Sequence, residues 1–253
     1  MNKRLLNLML FSTVIIFIVL LPIIFVDRYL PQSQHPWQLQ PFNADSLSSF
    51  YKSNYQIIGD TSLIDYLKDT SGAIVNILVD GWGIPYDEKK LVQDFELFKN
   101  NSHRYAIHKR SFNITAIAES GEFQKGFANG IYVSGADSSS CRKKQLNLSR
   151  YFSNISCYDD YEDAKMVSIL DTLLTKDSLK RIAWTTLGTR MGNRTNLHLL
   201  LEELSKLAKK HPHVQFIIQG THRPILGTPE TRRKYLTPWV PAVFLNGDIR
   251  SVE

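Results

Sequence analysis

The sequence contains no glycine-rich loop of the GxGxxG or Walker type, and its seven histidines form no HExxH pair. Those absences leave dinucleotide, P-loop and zincin chemistry without a motif. Basic residues gather no further than Arg142–Lys144 and Arg232–Lys234. Such short clusters are weak nucleic-acid footprints, so the net charge of +6 reads as solvated surface or proximity to anionic headgroups. No nucleic-acid partner is expected. No internal repeat is visible. Cysteine is scarce, only Cys141 and Cys157. In an exported domain these two could pair; their spacing permits a disulfide without deciding it.

What is present begins with the N-terminus. Leu5 to Val26 carries no charge, and its only interruptions are Asn7, Ser12, Thr13 and Pro22. A helix of that length spans a hydrocarbon core of roughly 30 Å. Lys3 and Arg4 precede it, so the positive-inside bias keeps the tip in the cytoplasm and exports the rest. A cleaved signal peptide has a shorter apolar core and a small-x-small site, which LLPIIFVDRYLPQ lacks. The expectation is a single-pass protein of the inner (cytoplasmic) membrane with an extracytoplasmic C-terminal domain. Residues 1–26 form the tip and anchor, 27–50 a Pro-, Gln- and Ser-rich spacer, and 51–253 the domain. At 43% hydrophobic and 21% charged, that domain should be folded rather than disordered.

Along the domain, strand and helix patterns alternate. Ala73–Asp80 is a β-branched run of the kind buried in a largely parallel sheet. Asp87–Lys99 spaces Leu91, Val92, Phe95 and Phe98 as an amphipathic helix requires. A strand is expected near Tyr105–His108, a helix after Asn113, a strand at Ile131–Ser134 and a helix over Asp159–Leu174. Arg181–Leu187 reads as a strand. Asn193 can cap the next helix, whose apolar stripe runs from Leu197 to Ala208. Val214–Gln219 and Val240–Asn246 read as further strands. The rhythm predicts an α/β fold, a mostly parallel layered sheet with helices on both faces.

Ligands in such sheets gather beyond the carboxyl ends of strands. That rule selects Asp80–Gly83, Gly188–Asn193 and Gly220–Pro224. Asp80 offers a hard oxygen and His222 a nitrogen, half of a divalent-metal site. Equally, Asp80 could cap a turn while His222 packs against Trp82 or Trp239.

ILVDGWGIP, SFNITAIAESGEF, IAWTTLGTR and FIIQGTHRPILGTPETRRKYLTPWVPAVFLN, taken in chain order, together resemble the alkaline phosphatase superfamily. The resemblance runs from about Ala73 to Asn246. It implies an alkaline-phosphatase-like fold, one or two divalent metals (zinc or manganese), and a phosphate- or sulfate-bearing envelope substrate. On it, Asp80 matches the acidic metal ligand, Thr115 the nucleophile just before a helix, and His222 the histidine of an Asp-His-Gly element. Thr221 and Arg223 stand where that element has aspartate and glycine. Arg190 stands about where many relatives place a histidine. Arginine has no lone pair for zinc but grips phosphate bidentately, so Arg190 and Arg223 become substrate-binding candidates. Two functions follow: a metal-dependent hydrolase or transferase, or a pseudoenzyme that keeps the fold and binds an envelope partner or anionic ligand.

Overall fold

The computed structural model describes residues 45–250, apart from 111–114, 125, 128, 136–137, 159–161, 177–180, 187–188, 190–191 and 226–227. The expected anchor, Leu5–Val26, therefore lies outside the described residues, as does Arg190. Among the described residues no helix is long and apolar enough to cross a membrane.

One sheet of eight strands organises the domain: β1 (Gln56–Ile58), β2 (Ile74–Val79), β3 (His103–Lys109), β4 (Ile131–Ser134), β5 (Asn154–Cys157), β6 (Arg181–Thr185), β7 (Gln215–Gly220) and β8 (Trp239–Leu245). Their order across the sheet is β1-β3-β8-β7-β2-β6-β4-β5. Only β8 runs against its neighbours β3 and β7; the other pairs are parallel. The helices are α1 (Ser49–Asn54), α2 (Glu88–Glu96), α3 (Thr115–Phe123), α4 (Ser138–Leu148), α5 (Asp163–Lys176), α6 (Arg194–Lys210) and α7 (Pro229–Arg232).

The expected strands and helices are present with ends shifted by a few residues. The sequence reading passed over α4 and the short edge strands β1 and β5. In α4, SSSCRKKQLNL offers no continuous apolar stripe. Within the stretch read as spacer, Leu47 is buried in the core. Asp45 accepts hydrogen bonds from the Thr237 amide (2.7 Å, at Oδ2) and the Trp239 indole (2.7 Å, at its carbonyl).

Because side chains alternate along a strand, each strand contributes to two cores. Val75, Ile77 and Val79 of β2 pack with Leu91 and Phe95 of α2, Leu170 of α5 and Leu201 of α6. Ile74 and Leu78 face the other way and pack with Ala118 and Phe123 of α3 and Leu148 of α4. Helices thus cover both faces, as expected. Asn193 caps α6 by accepting from the Thr195 and Asn196 amides.

Candidate functional site

The face under α3 becomes polar toward the carboxyl ends of the strands. On the same parity as Ile74 and Leu78 lie Asn76 and Asp80; beside them lie Thr185 of β6 and Gln219 and Thr221 of the β7 segment. All are buried. The register pairs Val79 with Gly220, so Asp80 and Thr221 leave adjacent strands side by side. Two glycines let the loops close over this edge. A Cβ on Gly220 would lie 1.9 Å from the Trp82 carbonyl oxygen, and one on Gly83 would lie 2.7 Å from Arg223 Cα. Trp82 is held in turn: its indole donates to Asp94 Oδ2 at 3.0 Å, and Arg194 pairs with Asp94 at 2.7 Å.

Asp80, Thr115 and His222 come together. Thr115 Oγ1 lies 3.1 Å from Asp80 Oδ1 and 3.1 Å from His222 Nε2, and the last two atoms are 3.0 Å apart. Asp80 and His222 are almost fully buried, at 2% and 3% exposure. Thr115 is half-buried, the member of the three that reaches solvent. As the first residue of α3, it also sits where the helix presents unpaired amides and a positive dipole end to an anion.

Supporting contacts fix the orientation. Thr221 donates to Asp80 Oδ1 at 2.9 Å, the Asp80 amide donates to Thr186 Oγ1 at 3.0 Å, and the Thr189 hydroxyl donates to the Asp80 carbonyl. His222 Nδ1 lies 2.7 Å from the Arg223 carbonyl. A carbonyl only accepts, so Nδ1 carries the proton and a neutral His222 keeps its lone pair on Nε2. The Thr221 hydroxyl already serves Asp80 Oδ1, so the Thr115 proton can be given to His222 Nε2, and the two acceptors sit 3.0 Å apart.

A carboxylate oxygen and an imidazole nitrogen 3.0 Å apart are a donor set that fits one divalent cation, held by Asp80 Oδ1 and His222 Nε2 with Thr115 beside it. It does not fit two. The Thr221 hydroxyl stands where a second carboxylate would be needed, and among the described residues no three His, Cys, Asp or Glu group in a metal-binding arrangement. Arg223 meets the triangle through its backbone carbonyl alone among the described contacts, and its guanidinium does not join it. Its side chain is half-buried, with Nε lacking a partner. Burial lowers its pKa, and the charges it feels are those of Asp45, Arg232 and Tyr86.

Sequence reasoning missed two polar groups that hold α3. Arg110, just after β3, donates to Glu122 Oε1 (2.9 Å) and to Gln219 Oε1 (2.6 Å). Gln219 then donates to Asn76 Oδ1 at 3.1 Å. His108 lies against Gln219 Oε1 at 3.2 Å, and burial drives its pKa well down, with the Arg110 charge adding to the effect. On the opposite flank, Tyr132 donates to Glu119 Oε1 at 2.9 Å, and Lys144 pairs with the same oxygen. The available signal was parity: Asn76 with Asp80, and Gln219 with Thr221, put polar residues on one face of otherwise apolar strands.

No family model and no curated protein matches the chain. Solved structures do. The lipoteichoic acid synthase LtaP of Listeria monocytogenes aligns with a TM-score of 0.50 at 9% identity, covering 82% of this chain and 70% of that one. The C-terminal periplasmic domain of EptC from Escherichia coli, in a complex with zinc, gives 0.49 at 11% identity over 72% and 76%. A protein of the alkaline phosphatase superfamily from Vibrio parahaemolyticus gives 0.44 at 12% identity, and there the chain spans 62% of its relative's length. Likeness at such identity speaks to architecture alone. The domain has an alkaline-phosphatase-like fold, an α/β domain with an eight-stranded, mostly parallel sheet flanked by helices.

Proposed function

We propose that this protein is a membrane-anchored, extracytoplasmic enzyme that transfers phosphoryl or sulfuryl groups from esters of the cell envelope, with Thr115 as nucleophile. The triangle of Thr115, Asp80 and His222, closed at 3.0–3.1 Å, carries this reading. A lipoteichoic acid synthase of the same fold supports an envelope ester as substrate.

Asp80 and His222 would hold one zinc or manganese ion, which when bound supplies positive charge against the negative charge building on the transferred group. Thr115 supplies the attacking oxygen. As Oγ1 bonds to phosphorus, the bond to the leaving ester oxygen breaks; because the lone pairs of Asp80 Oδ1 and His222 Nε2 would be engaged by the ion, the Thr115 proton passes to solvent water. The leaving alkoxide takes up a proton. Water or an acceptor hydroxyl then opens the Thr115 ester, making the protein a hydrolase or a transferase respectively. The α3 N-terminus favours an anion at this point. Arg190 remains a candidate for gripping the substrate anion, and Arg223 a weaker one because no described contact joins its guanidinium to the triangle.

A second reading, an inactive relative that binds an envelope partner or anion, is favoured by one observation: Thr221 offers Asp80 a hydroxyl where two-ligand metal binding would gain a carboxylate. Elemental analysis of the purified full chain beside an Asp80→Ala/His222→Ala variant separates the two. Bound zinc or manganese lost in the variant, with Thr115-dependent release of nitrophenol from bis(p-nitrophenyl) phosphate or p-nitrophenyl sulfate, supports the enzyme. No metal after incubation with excess, and no Thr115-dependent release, leaves the binding role.

A further inference from the structure

Helix α4 has two unlike sides. Cys141 and Leu148 are buried, and the Lys144 ammonium pairs with Glu119 of α3. On a helix of 3.6 residues per turn these three positions fall within one arc of about 60°. The opposite side carries Arg142, Lys143 and Leu146, continued by Arg150 in the turn that follows, and all four are exposed. Leu146, at 75% exposure, lies in the middle of the three cations. The Arg150 guanidinium in turn stands over the Tyr151 ring, 4.7 Å from its centroid.

The fold keeps this side outward. A disulfide joins Cys141 to Cys157 at the end of β5, and the ion pair of Lys144 with Glu119 ties the helix to α3. Charge is equally one-sided. From Ser138 to Tyr158 the chain has no aspartate or glutamate. Glu119 answers the charge of Lys144, whereas among the described residues no carboxylate pairs with Arg142, Lys143 or Arg150. A basic run alone is ordinarily solvated, and a single exposed leucine is ordinary too. Their coincidence on one arc selects a partner. A hydrated polyanion would meet the cations and leave Leu146 in water, while a lipid surface takes up both.

We propose that this side of α4 docks on a bilayer surface rich in anionic phospholipid, with Arg142, Lys143 and Arg150 meeting headgroup phosphates and Leu146 entering the interface. Helices α3 and α4 pack in one core on the same face of the sheet, so the docked face is the one that carries Thr115. The inference extends the proposed function and rests on it for the N-terminal anchor alone. It brings the Thr115 side of the sheet toward lipid-borne esters.

Ser149 is exposed beside this side of the helix, and both native cysteines are in the disulfide. The full chain with Ser149→Cys can therefore be labelled at one thiol with a nitrobenzoxadiazole dye. It is placed in nanodiscs of phosphatidylcholine alone or mixed with phosphatidylglycerol. In the anionic discs the emission should move to the blue and be quenched by doxyl-labelled lipid; in the zwitterionic discs it should do neither. Molar salt, with a Debye length of roughly 3 Å, should release the label to water. Arg142→Gln/Lys143→Gln/Arg150→Gln should lower the docked-to-free ratio by about a hundredfold, at about fivefold for each cation. Leu146→Ser should lower it by about fivefold. A label that stays in water in both discs overturns the proposal, as does an equal shift in both or a triple variant that docks like the parent. Polyphosphate binding by a chain whose label stays in water would overturn it in favour of a soluble polyanion. Failure of the anchor reading would look different, because the chain would then not enter the discs. Vesicles of the same two compositions, added to the labelled chain, would still decide the docking by the same shift.

Discussion

Thr221 donates its hydroxyl to Asp80 Oδ1 at 2.9 Å, across two strands whose ends are in register. The hydroxyl takes one of the lone pairs that Asp80 could otherwise give to a cation. Thr221→Asp would put a second carboxylate at that distance. In the metal-free protein the two would repel and lower stability. Zinc affinity should rise by at least about tenfold, since another anionic oxygen joins the donor set. Competition against a chromogenic zinc chelator reads this directly, and unchanged affinity would mean that the edge formed by Asp80 and Thr221 does not face a metal.

Gly220→Ala should damage the same edge by a different route. The new Cβ meets the backbone oxygen of Trp82 at 1.9 Å, which no rotamer change can relieve. A loss of about 3 kcal/mol in denaturant unfolding is expected. Gly59→Ala is the control, as nothing lies within 4 Å of its added Cβ; stability there should hold or rise by about 0.5 kcal/mol.

His108 makes stability depend on mild acid. It is fully buried, and its folded pKa is pushed well below the ordinary histidine value by burial and then by Arg110. The sign follows from proton counting. Below about pH 6.5 the unfolded chain takes up a proton that the folded one refuses, so stability falls by about 1.4 kcal/mol per pH unit as pH drops toward the folded value. Above that range the histidine is neutral in both states and contributes no slope. Urea melts at pH 7.5 and 5.5 should show the difference, and His108→Gln should remove most of it. An equal slope in the variant would assign the effect to other groups.

The disulfide closes a separation of 16 residues between α4 and β5. Replacing both cysteines by serine should cost about 3 kcal/mol, chiefly by releasing the unfolded chain. Thermal unfolding without reductant gives the comparison. An unchanged melting temperature would mean that the packing of α4 against the sheet suffices to hold it.

Much of this was legible one residue at a time. The β-branched run Ala73–Asp80 marked β2 as a buried strand, and the strand-end rule pointed at Asp80 and His222, because residue pattern is a local property. Leu197 to Ala208 announced α6 for the same reason. Thr115 was legible only through resemblance; nothing in SFNITAIAESGEF by itself distinguishes its hydroxyl from that of any other threonine. Lys144 was misread as ordinary surface, because a cation in a short basic run carries no mark of the carboxylate it will meet.

By itself, then, the sequence determined which segments become strands and helices, and which strand ends carry a carboxylate and an imidazole. Tertiary structure decided the rest. β2 and β7 are distant in the chain yet adjacent in the sheet, and their register sets Asp80 beside Thr221 and within 3.0 Å of His222. The pairing of Glu119 with Lys144 likewise depends on α3 and α4 packing on one face. Pairings of this kind arise from strand order and register, which are properties of the whole sheet and are not encoded in any single local pattern.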